Sequence, residues 1–215
     1  EHNGWYAIEY SHREWVSASP KDVLYYLDPN NFLNDIRQQF QFLDLSRNSD
    51  ATAGEINKVL RGNGVLEGKG SKFIEAGNKY RVNDIYLVSH AKLETGNGKS
   101  PLARGVEVGR DRSGNPVIVN SSNRSSLTNI KKVHNVYGIG AYDGCAVECG
   151  AIYAYNQSWD SVDKAIVEGA RFIGNNYISK GQNTLYKMRW NYALHNGEHV
   201  ASHQYATDIG WASKQ

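Results

Sequence analysis

The sequence carries almost no net charge: 24 Lys and Arg stand against 22 Asp and Glu, leaving +2 over 215 residues. Basic residues so balanced and dispersed offer no surface for tracking phosphates, so nucleic acid is not an expected partner. Long apolar runs are missing too, and no stretch approaches the roughly 20 residues that a membrane-spanning helix needs. The start does not read as a signal peptide, and with Glu1 in place of a methionine the chain is expected to be a mature or excised piece of something longer. Cysteine is scarce: Cys145 and Cys149 stand four apart in DGCAVECG. On a regular helix such side chains run parallel and fit a disulfide poorly, so that bond is open only where the backbone leaves the helix. No second Cys or His pair has ligand spacing nearby. The expectation is therefore buried or free thiols, no metal and no cofactor. Phenylalanine is sparse as well, 5 against 14 Tyr and 5 Trp. Tyrosine and tryptophan beside Asn, Gln, Gly or Asp can stack on sugars and donate hydrogen bonds from their tips, and they also suit a core with polar ends.

The length supports a full core, built as one domain or as two lobes around a cleft. Residues 1–16 are polar and aromatic without periodicity and read as an extended arm. Ser19-Pro20-Lys21-Asp22 has the form of a helix start, which Asp28-Pro29 closes. Asn31 to Leu45 mixes helical spacing at Phe32, Ile36 and Phe40 with strand-like alternation, and its first part is taken as helix. Thr52 and Glu55 form a capping-box pattern for a helix to about Leu60, and further helices are expected over Ser71–Tyr80 and Asn83–Glu94. The grammar then changes to a hairpin, Gly105–Val108 and Pro116–Val119 around a turn-rich tip, followed by the polar loop Asn120–Asn129. Val133–Tyr137 reads as a strand or extended segment, and Asp143 as the cap of a helix to about Asn156 with Cys145, Cys149, Ile152 and Tyr153 inward. A long structural helix follows, with Val162, Ala165, Ile166, Gly169, Phe172 and Ile173 as its buried stripe. A short helix is expected within Gly181–Trp190, and Thr207 or Asp208 is expected to cap the last one.

The chemistry centres on NDIYLVSHAKLETGNG, residues 83–98. Asn83 caps a helix whose apolar positions are Ile85, Leu87, Val88 and Ala91, and Gly96 and Gly98 end it, so Glu94 lies in the last turn on the buried stripe. Desolvation and the negative end of the helix dipole both favour the protonated carboxyl, the form in which a general acid protonates a glycosidic oxygen. Glycoside hydrolysis commonly uses a second carboxylate. Glu107 in the first hairpin strand is the nearest candidate, with the ordinary exposed strand glutamate as the alternative, and Asp143 is a second. His90, four before Glu94, is either its partner, which would favour the charged carboxylate, or an ordinary helix residue. Neither cysteine has a histidine at readable spacing, Ser89 and His90 face different ways, and Gly62, Gly64, Gly68 and Gly70 lack the residues of a phosphate loop.

Five stretches carry a family resemblance: Tyr26–Leu33, Glu94–Gly98, Asn135–Asp143, Gly181–Trp190 and His203–Asp208. Over roughly residues 20–212 the chain resembles bacterial endo-β-N-acetylglucosaminidases, the autolysins of glycoside hydrolase family 73. The resemblance implies an α+β, mainly helical, lysozyme-like fold of two lobes around a cleft with a small β-hairpin lobe. It also implies an arm over residues 1–19 and one catalytic domain over 20–215. The implied protein is a secreted, wall-associated monomer that hydrolyses the β-1,4 bond between N-acetylglucosamine and N-acetylmuramic acid in peptidoglycan glycan strands. Glu94 matches the catalytic acid and Glu107 an acidic hairpin position. With Glu107 as base on a water the reaction would invert; with the substrate's own 2-acetamido group attacking the anomeric carbon, Tyr142 or Asp143 need only orient that group. Asn97, Asn135, Tyr137, Gln182, Asn183, Tyr186, Trp190 and Tyr205 resemble substrate-binding residues. Two departures stand out: Trp190-Asn191 continues with Tyr192 rather than proline, and the Cys145/Cys149 pair lies outside the family pattern. A muramidase or lytic transglycosylase on the same fold, or a noncatalytic wall-binding module, are the alternatives.

Overall fold

Local capping chemistry sets most helix starts in the structure, a computed structural model that describes residues 6–9, 15–195 and 198–215. Of the strand residues 6–9, 15, 192–195 and 198–201 it describes the backbone alone. In chain order, β1 (Tyr6–Glu9) pairs antiparallel with β2 (Trp15–Ser17), so the arm expected to be extended contains a hairpin; the rest of the arm lies outside the described residues. The helix α1 (Pro20–Leu27) starts with the full Ser19/Asp22 capping box, and α2 (Ala53–Val59) with that of Thr52/Glu55. They are followed by α3 (Gly70–Tyr80), α4 (Asp84–Glu94) and the short α5 (Pro101–Arg104). The strands β3 (Val106–Arg110), β4 (Pro116–Ile118) and β5 (Thr128–Val133) form one antiparallel sheet in the order β4-β3-β5. After them come α6 (Ala146–Asn156), α7 (Val162–Asn176), α8 (Leu185–Arg189), the hairpin β6 (Tyr192–His195) with β7 (Glu198–Ala201), and α9 (Trp211–Lys214). Asn191 leads straight into β6, whose first residue is Tyr192. No described helix is long and apolar enough to cross a membrane.

The chain divides into two units, Arg47–Asn175 and the combination of Glu1–Ser46 with Asn176–Gln215. In the first, Ile56, Leu60, Leu66, Phe73, Ala76, Leu87, Val88, Ala91, Ala165, Ile166 and Ile173 are buried at 3% exposure or less. The one-sided stripe expected of α4 is wrong in detail. Asp84, Tyr86, Leu87, Val88, His90 and Ala91 are all buried, whereas Ile85 is 40% exposed. A helix buried around most of its circumference is a central core element. It can hold Asp84 because that carboxylate accepts the Ser49 amide at 2.9 Å. The third strand of the sheet lies over Thr128–Val133 rather than over Val133–Tyr137, where a strand or extended segment was expected, because TNIKKV, polar except at Ile130 and Val133, is fixed by pairing with β3. The inner positions of α6 are Gly150, Ala151, Ala154 and Tyr155, one register away from those expected.

In the second unit, Asn31–Leu45 follows a 3-10 turn, Pro29–Asn31, and forms another, Gln38–Phe42, in place of the expected helix. Phe32 is buried, but Ile36 and Phe40 are 74% and 61% exposed, so the helical spacing has nothing to bury against. Thr184 caps α8, and α9 is preceded by Gly210, whose amide donates to the Asp208 side chain at 2.8 Å. Buried Arg189 ties the two segments together, donating to the carbonyls of Asp208 at 2.7 Å and Thr207 at 3.1 Å.

The stop after α4 is the most constrained turn. Thr95, 1% exposed, donates its hydroxyl to the Ala91 carbonyl and accepts the Gly98 amide at 2.7 Å. Gly96, Asn97 and Gly98 all have positive φ, 53°, 60° and 74°, a run that only glycine and asparagine adopt readily. A methyl on Gly98 would meet the Asn63 carbonyl oxygen at 2.2 Å. Gly98→Ala is therefore expected to destabilise the protein by roughly 2 kcal/mol or more, seen as a lower urea midpoint, with Gly62→Ala, whose added methyl meets nothing within 4 Å, as the milder control.

Candidate active site

Because α4 ends at Glu94, its carboxyl is presented at the helix terminus rather than along its flank, and the side chain is 26% exposed. One oxygen, Oε1, lies 3.8 Å from His90 Nε2, one helical turn back. The other faces Gly138, where an added methyl would meet Oε2 at 2.9 Å; Gly138 is glycine for that reason and for its φ of 65°. The Glu94–His90 contact is not an ion pair. Burial pushes the His90 imidazole down to about 3, so it is neutral at physiological pH. Its Nδ1 is 2.8 Å from the Tyr86 hydroxyl, and its ring meets Tyr86 and Tyr137 edge-on. Tyr86, His90 and Glu94 recur at intervals of four along α4; the same spacing that relates His90 to Glu94 in the sequence also reaches back to Tyr86.

The loop facing Glu94 is anchored by Asn135. Its Nδ2 donates to the carbonyls of Ile139 at 2.7 Å and Gly150 at 3.2 Å, and its Oδ1 accepts the Tyr137 amide at 3.3 Å. Tyr137 is 1% exposed and donates its hydroxyl to the Ile166 carbonyl at 3.2 Å. Both residues were expected to bind substrate; both are buried, and their polar atoms hold the Gly138 loop in place. Further along, Tyr142 is 69% exposed and Asp143 is exposed. Asp143 does not cap α6. Cys145 occupies that position with φ −139° and ψ 26°, and it is disulfide-bonded to Cys149 across a Cα–Cα distance of 5.4 Å. The expectation of free thiols is thereby corrected: Cys145 has left the helix, the one condition under which this spacing permits the bond.

Glu107 lies on the outward face of β3, since Val108 beside it is fully buried. Arg124, from the stretch read as a polar loop, grips it with its two terminal nitrogens at 2.6 and 3.1 Å. That grip holds the Glu107 carboxyl below the usual range. Asn97 is exposed, with its side chain at the left-handed turn after Glu94. The other five substrate-binding candidates belong to the second unit. Gln182 is buried, donating to the Lys187 and His203 carbonyls at 3.1 and 3.0 Å and meeting His203 Nδ1 at 2.6 Å, so it braces a loop rather than facing solvent. Trp190 is likewise buried, beneath the Arg189 guanidinium at 4.0 Å. Asn183 donates to Asp44 at 3.0 Å, Tyr186 donates to the Leu27 carbonyl, and Tyr205 stacks on Trp211 at 5.1 Å. These three are half-buried. Among the described residues no group of three or more His, Cys, Asp or Glu side chains could hold a metal ion.

Comparison with known proteins fits this geometry. A family profile described as "Mannosyl-glycoprotein endo-beta-N-acetylglucosaminidase" matches residues 70–215. The chain belongs to the glucosaminidase family. It is thus a glycoside hydrolase by family. It is 46% identical over 217 residues to the Beta-N-acetylglucosaminidase of Bacillus subtilis (strain 168), covering 99% of this chain and 21% of that protein. To the Bifunctional autolysin of Staphylococcus aureus (strain MSSA476) it is 46% identical over 200 residues, 93% of this chain and 15% of that one. The chain therefore spans about a fifth or less of the curated relatives it matches. Among solved structures, S. aureus Autolysin E in complex with the muropeptide NAM-L-ALA-D-iGLU matches with a TM-score of 0.73 and 37% identity, over 99% of this chain and 81% of that one. A catalytic mutant of the same autolysin with the disaccharide NAG-NAM gives 0.69 and 38%, over 93% and 76%. The glucosaminidase chain thus has the mixed α+β, lysozyme-like fold of these neighbours, with a three-stranded sheet where a two-stranded hairpin was expected.

His90 gives this fold a specific acid sensitivity. The native imidazole titrates near 3, below the usual 6.5, so the unfolded chain takes up the proton first as pH falls. Its contribution to stability is complete above about 6.5 and is lost progressively towards 3, at up to about 1.4 kcal/mol per pH unit. Between pH 7 and 4.5 the wild type is expected to lose about 2 kcal/mol more than His90→Gln, measured by urea unfolding at both pH values.

Proposed function

We propose that the chain hydrolyses the β-1,4 bond between N-acetylglucosamine and N-acetylmuramic acid in peptidoglycan, with Glu94 as the general acid. The observation that carries this reading is the placing of one helix-terminal carboxyl between a neutral buried histidine and a glycine loop, partly open to solvent. The related autolysin structures are described as complexes with a NAG-NAM disaccharide and a NAM muropeptide, which is the substrate class proposed here. On the same reading residues 20–215 form the hydrolytic domain, acting as a monomer outside the cell on wall glycan.

In the proposed reaction the Glu94 carboxyl gives its proton to the glycosidic oxygen as the bond from that oxygen to the anomeric carbon breaks. The 2-acetamido carbonyl oxygen of the same sugar bonds to that carbon, and water then opens the intermediate, losing a proton to the Glu94 carboxylate. Exposed Tyr142 or Asp143 would need only to orient the acetamide. The alternative, Glu107 as base on an inverting water, is disfavoured by Arg124, because a carboxylate held by two charge-assisted hydrogen bonds is a weaker base.

The test uses purified peptidoglycan digested by the wild type and by Glu94→Gln, with borohydride-reduced products read by mass spectrometry. Reduced N-acetylglucosamine ends are expected, and the variant should lose at least about 1000-fold in rate. Reduced N-acetylmuramic acid ends would assign the chain to the muramidase alternative, equal lysis by both proteins would remove Glu94, and lysis by neither would favour a binding module. Early product examined by NMR should be the β-anomer; an initial α-anomer would contradict acetamido participation.

A further inference from the structure

We infer that Tyr86 and His90 form a buried positioning pair for Glu94, in which the Tyr86 hydroxyl donates to His90 Nδ1 and so keeps the imidazole Nε2–H directed at Glu94 Oε1. The inference rests on the reading of Glu94 as the acid and deepens it. Three observations support it. The residues occupy successive turns of one helix, so their order is fixed by backbone geometry rather than by loop packing. The two inner members are 4% and 0% exposed, which removes water as a competing partner and makes the 2.8 Å Tyr86–His90 contact rigid. Tyr137 closes the far side of the imidazole edge-on, with ring centroids 5.5 Å apart, so the ring is held between two aromatic edges.

This arrangement makes the two Glu94 oxygens unlike each other. Oε1 faces the neutral imidazole across 3.8 Å, and the imidazole also interacts with the Tyr137 backbone, next to the Gly138 that faces Oε2. Oε2 faces the Gly138 backbone, where no side chain intervenes. A donor at Oε1 favours the carbonyl character of that oxygen and leaves the proton on Oε2. A neutral imidazole does this without the attraction that a cationic histidine would exert on a carboxylate, so orientation is gained while the acid form is retained. The role is positioning: neither Tyr86 nor His90 touches the glycan or moves a proton in the reaction.

The test is Tyr86→Phe, which keeps the ring and its packing and removes only the hydroxyl, run beside Glu94→Gln. In the wild type, nitrogen-15 NMR of the histidine ring should show the neutral Nε2–H tautomer. In Tyr86→Phe the tautomers should mix, and kcat should fall about tenfold or more with KM within twofold. Among His90 variants, His90→Gln, whose amide nitrogen can stand near Nε2, should retain several times the kcat of His90→Leu at comparable urea midpoints. Should Tyr86→Phe keep full kcat while Glu94→Gln is inactive, the positioning pair is overturned and the assignment of Glu94 stands. An active Glu94→Gln would instead overturn the assignment beneath it. A nitrogen-15 spectrum showing the Nδ1–H tautomer in the wild type would overturn the pair on its own.

Discussion

The Thr95 hydroxyl, held between the Ala91 carbonyl and the Gly98 amide, is the contact on which the rest of this site depends. It terminates α4 where the helix leaves the core: Thr95 and Gly98 are buried, while Leu93, Glu94, Gly96 and Asn97 are exposed. Three consecutive left-handed residues then turn the chain back so that the Gly98 carbonyl can accept the Val65 amide at 3.2 Å. Without that stop a regular helix would continue past Glu94, and its carboxyl would lie along a flank with no loop opposite. With it, a carboxyl sits at a helix C-terminus, where the dipole disfavours its charge. Gly138 lies close enough that no Cβ could intervene.

Electrostatics divides the two carboxylates that the sequence offers. Glu94 has an uncharged imidazole within 4 Å, whereas Glu107 has a guanidinium bound through two hydrogen bonds. The described neighbours of the two carboxylates come from different levels of structure. His90 arrives with the helix repeat, Arg124 with a loop seventeen residues beyond Glu107. The disulfide belongs to the same account. Cys145 leaves the helix at its first position and bonds forward to Cys149, fixing the end of the segment that carries Tyr142 and Asp143.

What was legible in the sequence was what short-range chemistry determines. The capping boxes at Ser19 and Thr52, the Asn83 cap, the Gly-Asn-Gly turn and the β3–β4 hairpin depend on residues within a few positions of one another. The strand β5 was not legible, because its polar run acquires order only by pairing with β3. The periodicity at Ile36 and Phe40 misled for the converse reason: the spacing is helical, but these side chains stay exposed. In the site, Glu94 and Asn97 could be placed from the turn that follows the helix. Asn135 and Gln182 could not be distinguished from substrate-binding amides, since the same hydrogen-bonding group serves a buried loop or a sugar, and only burial tells which. Arg124 gave no signal in a stretch of serines and asparagines.

The central claim is that Glu94 Oε2 delivers the proton to the scissile oxygen. The most direct measurement is a crystal structure of Glu94→Gln holding a glycan that spans an N-acetylglucosamine to N-acetylmuramic acid bond. The account places the Gln side-chain amide within about 3 Å of the glycosidic oxygen, on the side facing Gly138. A bound glycan whose scissile oxygen instead lies against Glu107 or Asp143, with position 94 out of reach, would contradict it.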